Sequence, residues 1–116
     1  DQGLDKVYVS VHGNAATDLW SIATGVETYH YPSSQTGIDL ATVFQKHLVQ
    51  QTGWKDRGIK EAKFYVLRKT TMPAILTENG FFSNKAQCEQ MLSIEYRDKV
   101  AEAHVQAILE IEKDRI

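Results

Sequence analysis

The chain switches between two hydrophobic periods. Val7, Val9 and Val11 interleave with Tyr8, Ser10 and His12, the period-two pattern of a strand, and Gly13-Asn14 stops the run. His12 therefore shares a strand face with Ser10 and Tyr8, at the strand's exit. Residues 25–31, Gly-Val-Glu-Thr-Tyr-His-Tyr, predict a second strand, closed by Pro32 and the Ser33-Ser34 pair. From about Thr36 to Thr52 the period becomes helical. Leu40, Val43, Phe44, His47 and Leu48 fall on one side, Ser34 or Thr36 can cap the start, and Gly53 can close the end. Trp54-Lys55-Asp56-Arg57-Gly58 reads as a polar connector, Phe64-Tyr65-Val66-Leu67 as a third strand, and Ala74 to Glu78 as a fourth. Asn84-Lys85-Ala86-Gln87 has the form of a capping box that opens a short helix over Cys88, Met91 and Leu92. Beyond Ser93 or Ile94, the positions of Val100, Ala103, Ala107, Ile108 and Ile111 predict a long amphipathic C-terminal helix.

Strands interleaved with helices define an α/β domain with a central sheet flanked by helices. The 116 residues make one domain or part of one, and no repeat or Pro/Ser linker divides them. Four short strands and two long helices leave a sheet face or edge poorly covered, so a further element is expected. The chain opens on Asp1, which suggests a processed or partial product. Its 42% hydrophobic and 24% charged composition is that of an ordinary globular protein. A net charge of −2 without a basic run gives no footprint for nucleic acid, and no stretch has the length of a membrane span. Cys88 is alone, which excludes an intrachain disulfide and any cysteine-based zinc spacing.

The candidate chemistry lies at two strand ends. His12 closes one apolar strand and Glu78 another, and the carboxyl ends of strands are where α/β sheets gather ligands and catalytic groups. One imidazole and one carboxylate are the minimum for a zinc hydrolase, a metal ligand plus a general base. Taken singly, His12 reads first as a strand-end histidine bonded to backbone and only second as a ligand. Glu78 reads either as a desolvated carboxylate able to take and return a proton, or as the partner of a cation such as Arg57 or Arg68. His30 reads as a sheet-face side chain, His47 as a residue at the core's edge, and His104 as solvated. No H-E-x-x-H pair, G-x-S-x-G elbow or phosphate-binding glycine loop is present. Trp20, Trp54, Tyr29, Tyr31 and Tyr65 could line a groove, although core roles are the default for aromatics.

Together the two segments carry a resemblance. Val9-Ser10-Val11-His12-Gly13-Asn14-Ala15 matches (I/V)-S-(I/V)-H-x-N-A, and the run from Pro73 to Asn84 matches P-A-x-L-x-E-x-G-F-x-S-N. Gly25-Val26-Glu27-Thr28-Tyr29, Asp56-Arg57-Gly58-Ile59-Lys60 and Phe64-Tyr65-Val66-Leu67-Arg68 follow in the expected order between them. This resembles the zinc-dependent N-acetylmuramoyl-L-alanine amidases of the Amidase_3 type, found in bacterial autolysins and phage endolysins, over almost the whole chain. The resemblance implies a mixed, mostly parallel sheet between helices. It also implies hydrolysis of the amide joining N-acetylmuramic acid to L-alanine in peptidoglycan, by a water activated on Zn2+. It makes His12 a zinc ligand and Glu78 the catalytic base, with Asn14 shaping the site and Arg57 orienting substrate or holding a loop.

The family's first histidine ligand, in G-H-G-G, and the glutamate ligand on the following helix have no counterpart here. Residues 1–116 accordingly read as the C-terminal portion of a catalytic domain, without its N-terminal strand and helix and with the remaining ligands upstream of Asp1. Glu27, a strand residue in the family too, is a poor substitute ligand. Only Pro32, Ser33, Ser34 and Gln35 separate the second strand from the first long helix, so the occluding helix of some cell-division amidases is not expected there. The resemblance places the action on the bacterial cell wall, from a secreted, periplasmic or phage-released protein, most simply a monomer. The alternatives are a metal-free peptidoglycan-binding or scaffold domain of the same fold and, more distantly, a zinc carboxypeptidase-like hydrolase.

Overall fold

The computed structural model describes residues 6–69 and 72–114. In chain order the elements are β1 (Tyr8–Asn14), β2 (Val26–His30), α1 (Gln35–Thr52), β3 (Asp56–Glu61), α2 (Tyr65–Arg68), β4 (Ala74–Phe81), α3 (Lys85–Met91) and α4 (Ile94–Asp114). The sheet order is β1-β4-β2-β3. β1 runs parallel to β4 and β2 parallel to β3, while the central pair, β2 and β4, is antiparallel. The sheet is therefore mixed, with parallel pairing on both flanks.

Alternation along β4 sorts the two faces. Ile75, Thr77 and Asn79 point one way, and Ala74, Leu76 and Glu78 the other. α1 and α4 cover the first face. Leu40, Ala41, Val43 and Phe44 of α1 meet Ile75 of β4 and Ala107 and Ile111 of α4 in one cluster. Val26, Leu48, Trp54 and Ala103 form a second, next to the stacked rings of Trp54 and Tyr96 at 5.1 Å. Each fully buried Leu or Phe here contributes about 1.5–3 kcal/mol, so this face supplies most of the fold's stability. The opposite face is covered more lightly: Leu67 of α2 packs on Ala74 and Leu76 beside Tyr29, Tyr31 and Val66. That lighter cover leaves the far end of this face open, and Glu78 lies there.

The helix ends follow the sequence signals. The Ser34 side chain accepts from the Gly37 amide at 2.9 Å, and Gly53 closes α1 at φ 68°. The Asn84 side chain accepts from the Gln87 amide at 3.0 Å to open α3. The segment between His30 and Gln35 holds no helix, as expected.

Two elements differ from expectation. The polar connector is the start of β3, an edge strand with Ile59 as its one large apolar residue. Its ladder rests on backbone bonds to β2, and its charged side chains suit an edge. The third expected strand is instead the single helical turn α2, whose Lys69 amide bonds the Tyr65 carbonyl at 2.9 Å. A four-residue apolar run satisfies either period, and burying Leu67 alone on the sheet selects the turn.

Candidate active site

Sheet register assembles the site. His12 on β1 pairs with Glu78 on β4, and Glu78 pairs with Glu27 on β2. Three adjacent strands thus place an imidazole and two carboxylates in one row, on the lightly covered face. Their environments divide the labour.

Glu27 is 3% exposed and fully bonded. Its Oε2 accepts from Asn14 Nδ2 at 2.8 Å and from the Tyr29 hydroxyl at 3.0 Å. Its Oε1 lies 3.2 Å from Arg57 Nε and 3.2 Å from Lys60 Nζ. Burial works to raise its pKa, but the bonds from Lys60, Tyr29 and Arg57 outweigh it and hold the carboxyl below the ordinary range. Tyr29 answers in the opposite sense: burial and its bond to Glu27 push the phenol up to about 12. Glu27 is a fixed negative charge.

Glu78 is the contrasting case. Its Oε1 is buried and receives no hydrogen bond, and no cation pairs with it among the described residues. Burial pushes its pKa up, the nearby His12 draws it down, and the charge of Glu27 adds to the rise. The expected alternative, a pairing with Arg57 or Arg68, is not what the structure shows. Arg57 serves Glu27, reaches the Thr24 carbonyl at 3.4 Å and lies 4.8 Å over the Phe81 ring. His12 is exposed, with Nε2 2.7 Å from the Ser10 hydroxyl on the same strand face. Asn14 bonds Glu27 and also accepts from the Ala15 amide at 2.8 Å, so it shapes the exit of β1. The Ser83-Asn84 end of the second motif pins the loop after β1. Ser83 Oγ accepts from the Ala16 amide at 3.0 Å, and Asn84 Nδ2 donates to the Ser21 carbonyl at 3.1 Å.

The site was only partly anticipated. From the sequence Glu27 is a poor metal ligand, yet its register beside Glu78 and its four partners make it the electrostatic anchor of the row. His104 reads from the sequence as solvated, whereas the structure half-buries it, with its ring against Thr77 of the sheet and the Phe44 ring. Helical spacing carried that signal, because residue 104 lies one turn from Val100 and next to the buried Ala103 and Ala107.

One test bears on zinc. The unpartnered Glu78 carboxylate and the accessible His12 imidazole are suited to one side of a metal-hydrolase centre. Among the described residues, however, no group of three His, Cys, Asp or Glu side chains could hold a metal ion. The described residues do not by themselves make a complete zinc site.

The comparisons agree with the fold. The Amidase_3 model, described as N-acetylmuramoyl-L-alanine amidase, matches residues 2–110, and the chain belongs to that family. The crystal structure of an N-acetylmuramoyl-L-alanine amidase from Clostridium difficile 630 superposes with a TM-score of 0.89 at 35% identity, over 95% of this chain and 59% of that one. The endolysin of Bacillus phage SPP1 is 39% identical over 90% of this chain and 40% of its own length. The N-acetylmuramoyl-L-alanine amidase CwlM of Bacillus licheniformis is 35% identical over 87% of this chain and 38% of its own. The chain thus spans about three fifths or less of each of these proteins.

Proposed function

We propose that this chain is part of a peptidoglycan hydrolase that cleaves the amide between N-acetylmuramic acid and L-alanine, with Glu78 as general base. The observation that carries the reading is the state of Glu78: a desolvated, unpartnered carboxylate in register with His12 and beside the fixed charge of Glu27. A carboxyl poised above its ordinary pKa accepts a proton from the attacking water and returns it to the departing alanine amine. Glu27, held by Arg57, Lys60, Tyr29 and Asn14, keeps the neighbouring position negative and rigid. We assign His12 as one zinc ligand, with the ligands absent from the described residues supplied upstream of Asp1. Zinc, when bound, would contribute Lewis acidity at the scissile carbonyl. The relatives named as amidases and an endolysin support the cell wall as the place of action.

The test uses the complete gene product on purified peptidoglycan, scoring newly released L-alanine amino termini and bound zinc. We expect about one zinc per chain, and a loss of roughly 10²–10⁴-fold in turnover for Glu78→Gln. Full turnover in that variant would remove Glu78 from the role. A second reading, a metal-free wall-binding domain, is favoured by the incomplete ligand set among the described residues. It predicts neither zinc nor new amino termini.

A further inference from the structure

On the helix-covered face, directly behind the row, a chain of hydrogen bonds runs from α4 to the strand that carries His12. His104 Nδ1 is 2.8 Å from the Val100 carbonyl. A carbonyl only accepts, so Nδ1 carries the proton and, in the neutral ring, Nε2 is an acceptor. Thr77 Oγ1 lies 2.9 Å from that Nε2 and must therefore donate to it. The same hydroxyl oxygen accepts from Asn79 Nδ2 at 3.0 Å. Asn79 Nδ2 also reaches the Thr77 carbonyl at 3.2 Å and, across the strands, the His12 carbonyl at 3.1 Å. The directions are mutually consistent, with the two Nδ2 protons of Asn79 shared among three acceptors and its buried Oδ1 left without a partner.

Its position gives it a purpose. The β1–β4 ladder pairs His12 with Glu78 and then Asn14 with Phe81, so Gly13 alone on β1 faces Asn79 and Gly80 on β4. Bulges interrupt a ladder and aim the neighbouring side chains. Here the side-chain amide of Asn79 bridges the two strands at the interruption, on the backbone of His12 itself. Thr77 is fully buried and Asn79 is 7% exposed, so the strand end of the series is shielded from competing water, while the half-buried His104 ring packs 5.7 Å from the Phe44 ring.

We infer that Thr77, Asn79 and His104 are positioning residues, which fix the His12 carbonyl at the β4 bulge and so set the aim of the His12 side chain relative to Glu78. The role in catalysis rests on the function proposed above; the wiring itself does not. Burial favours the neutral ring that the wiring requires of His104.

The complete protein tests this in three measurements. Nitrogen-15 NMR of the histidine rings should find His104 neutral with its proton on Nδ1, and a proton on Nε2 instead overturns the wiring without any variant. Thr77→Val removes the hydroxyl at nearly constant shape, and should shift the His12 carbonyl and ring resonances. Turnover per folded molecule should fall by about 10- to 100-fold with KM unchanged, because small misplacements of reacting groups cost on that order. Thr77→Ser keeps the hydroxyl and should restore both readouts. Unshifted His12 signals, or shifted signals with undiminished turnover, overturn the positioning role. If Glu78→Gln proves fully active, the proposed reaction falls. The His12 resonances of Thr77→Val then decide the wiring alone.

Discussion

At the scale of single residues, the two carboxylates in the row oppose each other in their response to pH. Glu78 has its pKa raised by burial and by Glu27, so its protonated form favours folding. Its contribution is present below about pH 4.5 and is lost as pH rises through the raised folded value. In the metal-free protein, kept in chelator, Glu78→Gln should therefore melt higher than wild type at pH 7, and the gain should vanish below pH 4.5. Thermal melts across pH 3–8 measure it, and a variant less stable at pH 7 would contradict the desolvation argument. Glu27 has its pKa lowered by Lys60, Tyr29 and Arg57 against the pull of burial. Its stabilisation is present above about pH 4.5 and is lost as pH falls through the lowered folded value. Glu27→Gln should cost about 1–3 kcal/mol at pH 7, since it strips charged acceptors from two cations, and the deficit should shrink in acid. Urea titrations at pH 7 and pH 3 check both halves.

At the scale of elements, legibility in the sequence followed the strength of the periodic signal. β1, β4 and the two long helices each present several apolar positions at one period, Ser34 and Gly53 cap α1, and Asn84 opens the short α3. β3 was missed because Asp56, Arg57, Gly58, Lys60 and Glu61 surround a lone Ile59: its place comes from pairing with β2 and from the Arg57 and Lys60 bonds to Glu27. A single chain's local pattern holds no record of that tertiary pairing. α2 was misread because four residues from Phe64 to Leu67 do not distinguish a strand from one helical turn. His12 and Glu78 are legible as residues near strand exits, but neither ends its strand: β1 runs on to Asn14 and β4 through Gly80 to Phe81, with a bulge where the expected breaks fall. Their register with Glu27, which makes them a site, exists only in the sheet. The caps give an element-scale expectation. Ser34→Ala removes the acceptor for the Gly37 amide and should cost α1 about 1 kcal/mol, read as a lower denaturant midpoint at unchanged slope.

At the scale of the whole molecule, the two sheet faces do different work, and the sheet's first edge marks where the design is open. The helix-covered face holds the core and the Thr77–Asn79–His104 wiring; the other holds the charged row over a thin cover of α2. β3 closes one edge of the sheet with charges, as edge strands require. β1 closes the other with Val11, 57% exposed, and with Tyr8, also exposed, and among the described residues no strand pairs its outer rim. A strand edge of this kind offers unpaired backbone groups beside apolar side chains, the template for edge-to-edge association. In a preparation of these 116 residues alone, β1 should then be the contact through which molecules self-associate. Val11→Lys places a charge on that rim, outside the buried clusters, and should change folding stability by less than about 0.5 kcal/mol. It should also lower the concentration-dependent mass seen by sedimentation. Unchanged sedimentation in a folded Val11→Lys chain would show that association, where present, runs through another surface, and the exposed Leu19, Trp20 and Ile22 after β1 would then be the next to substitute.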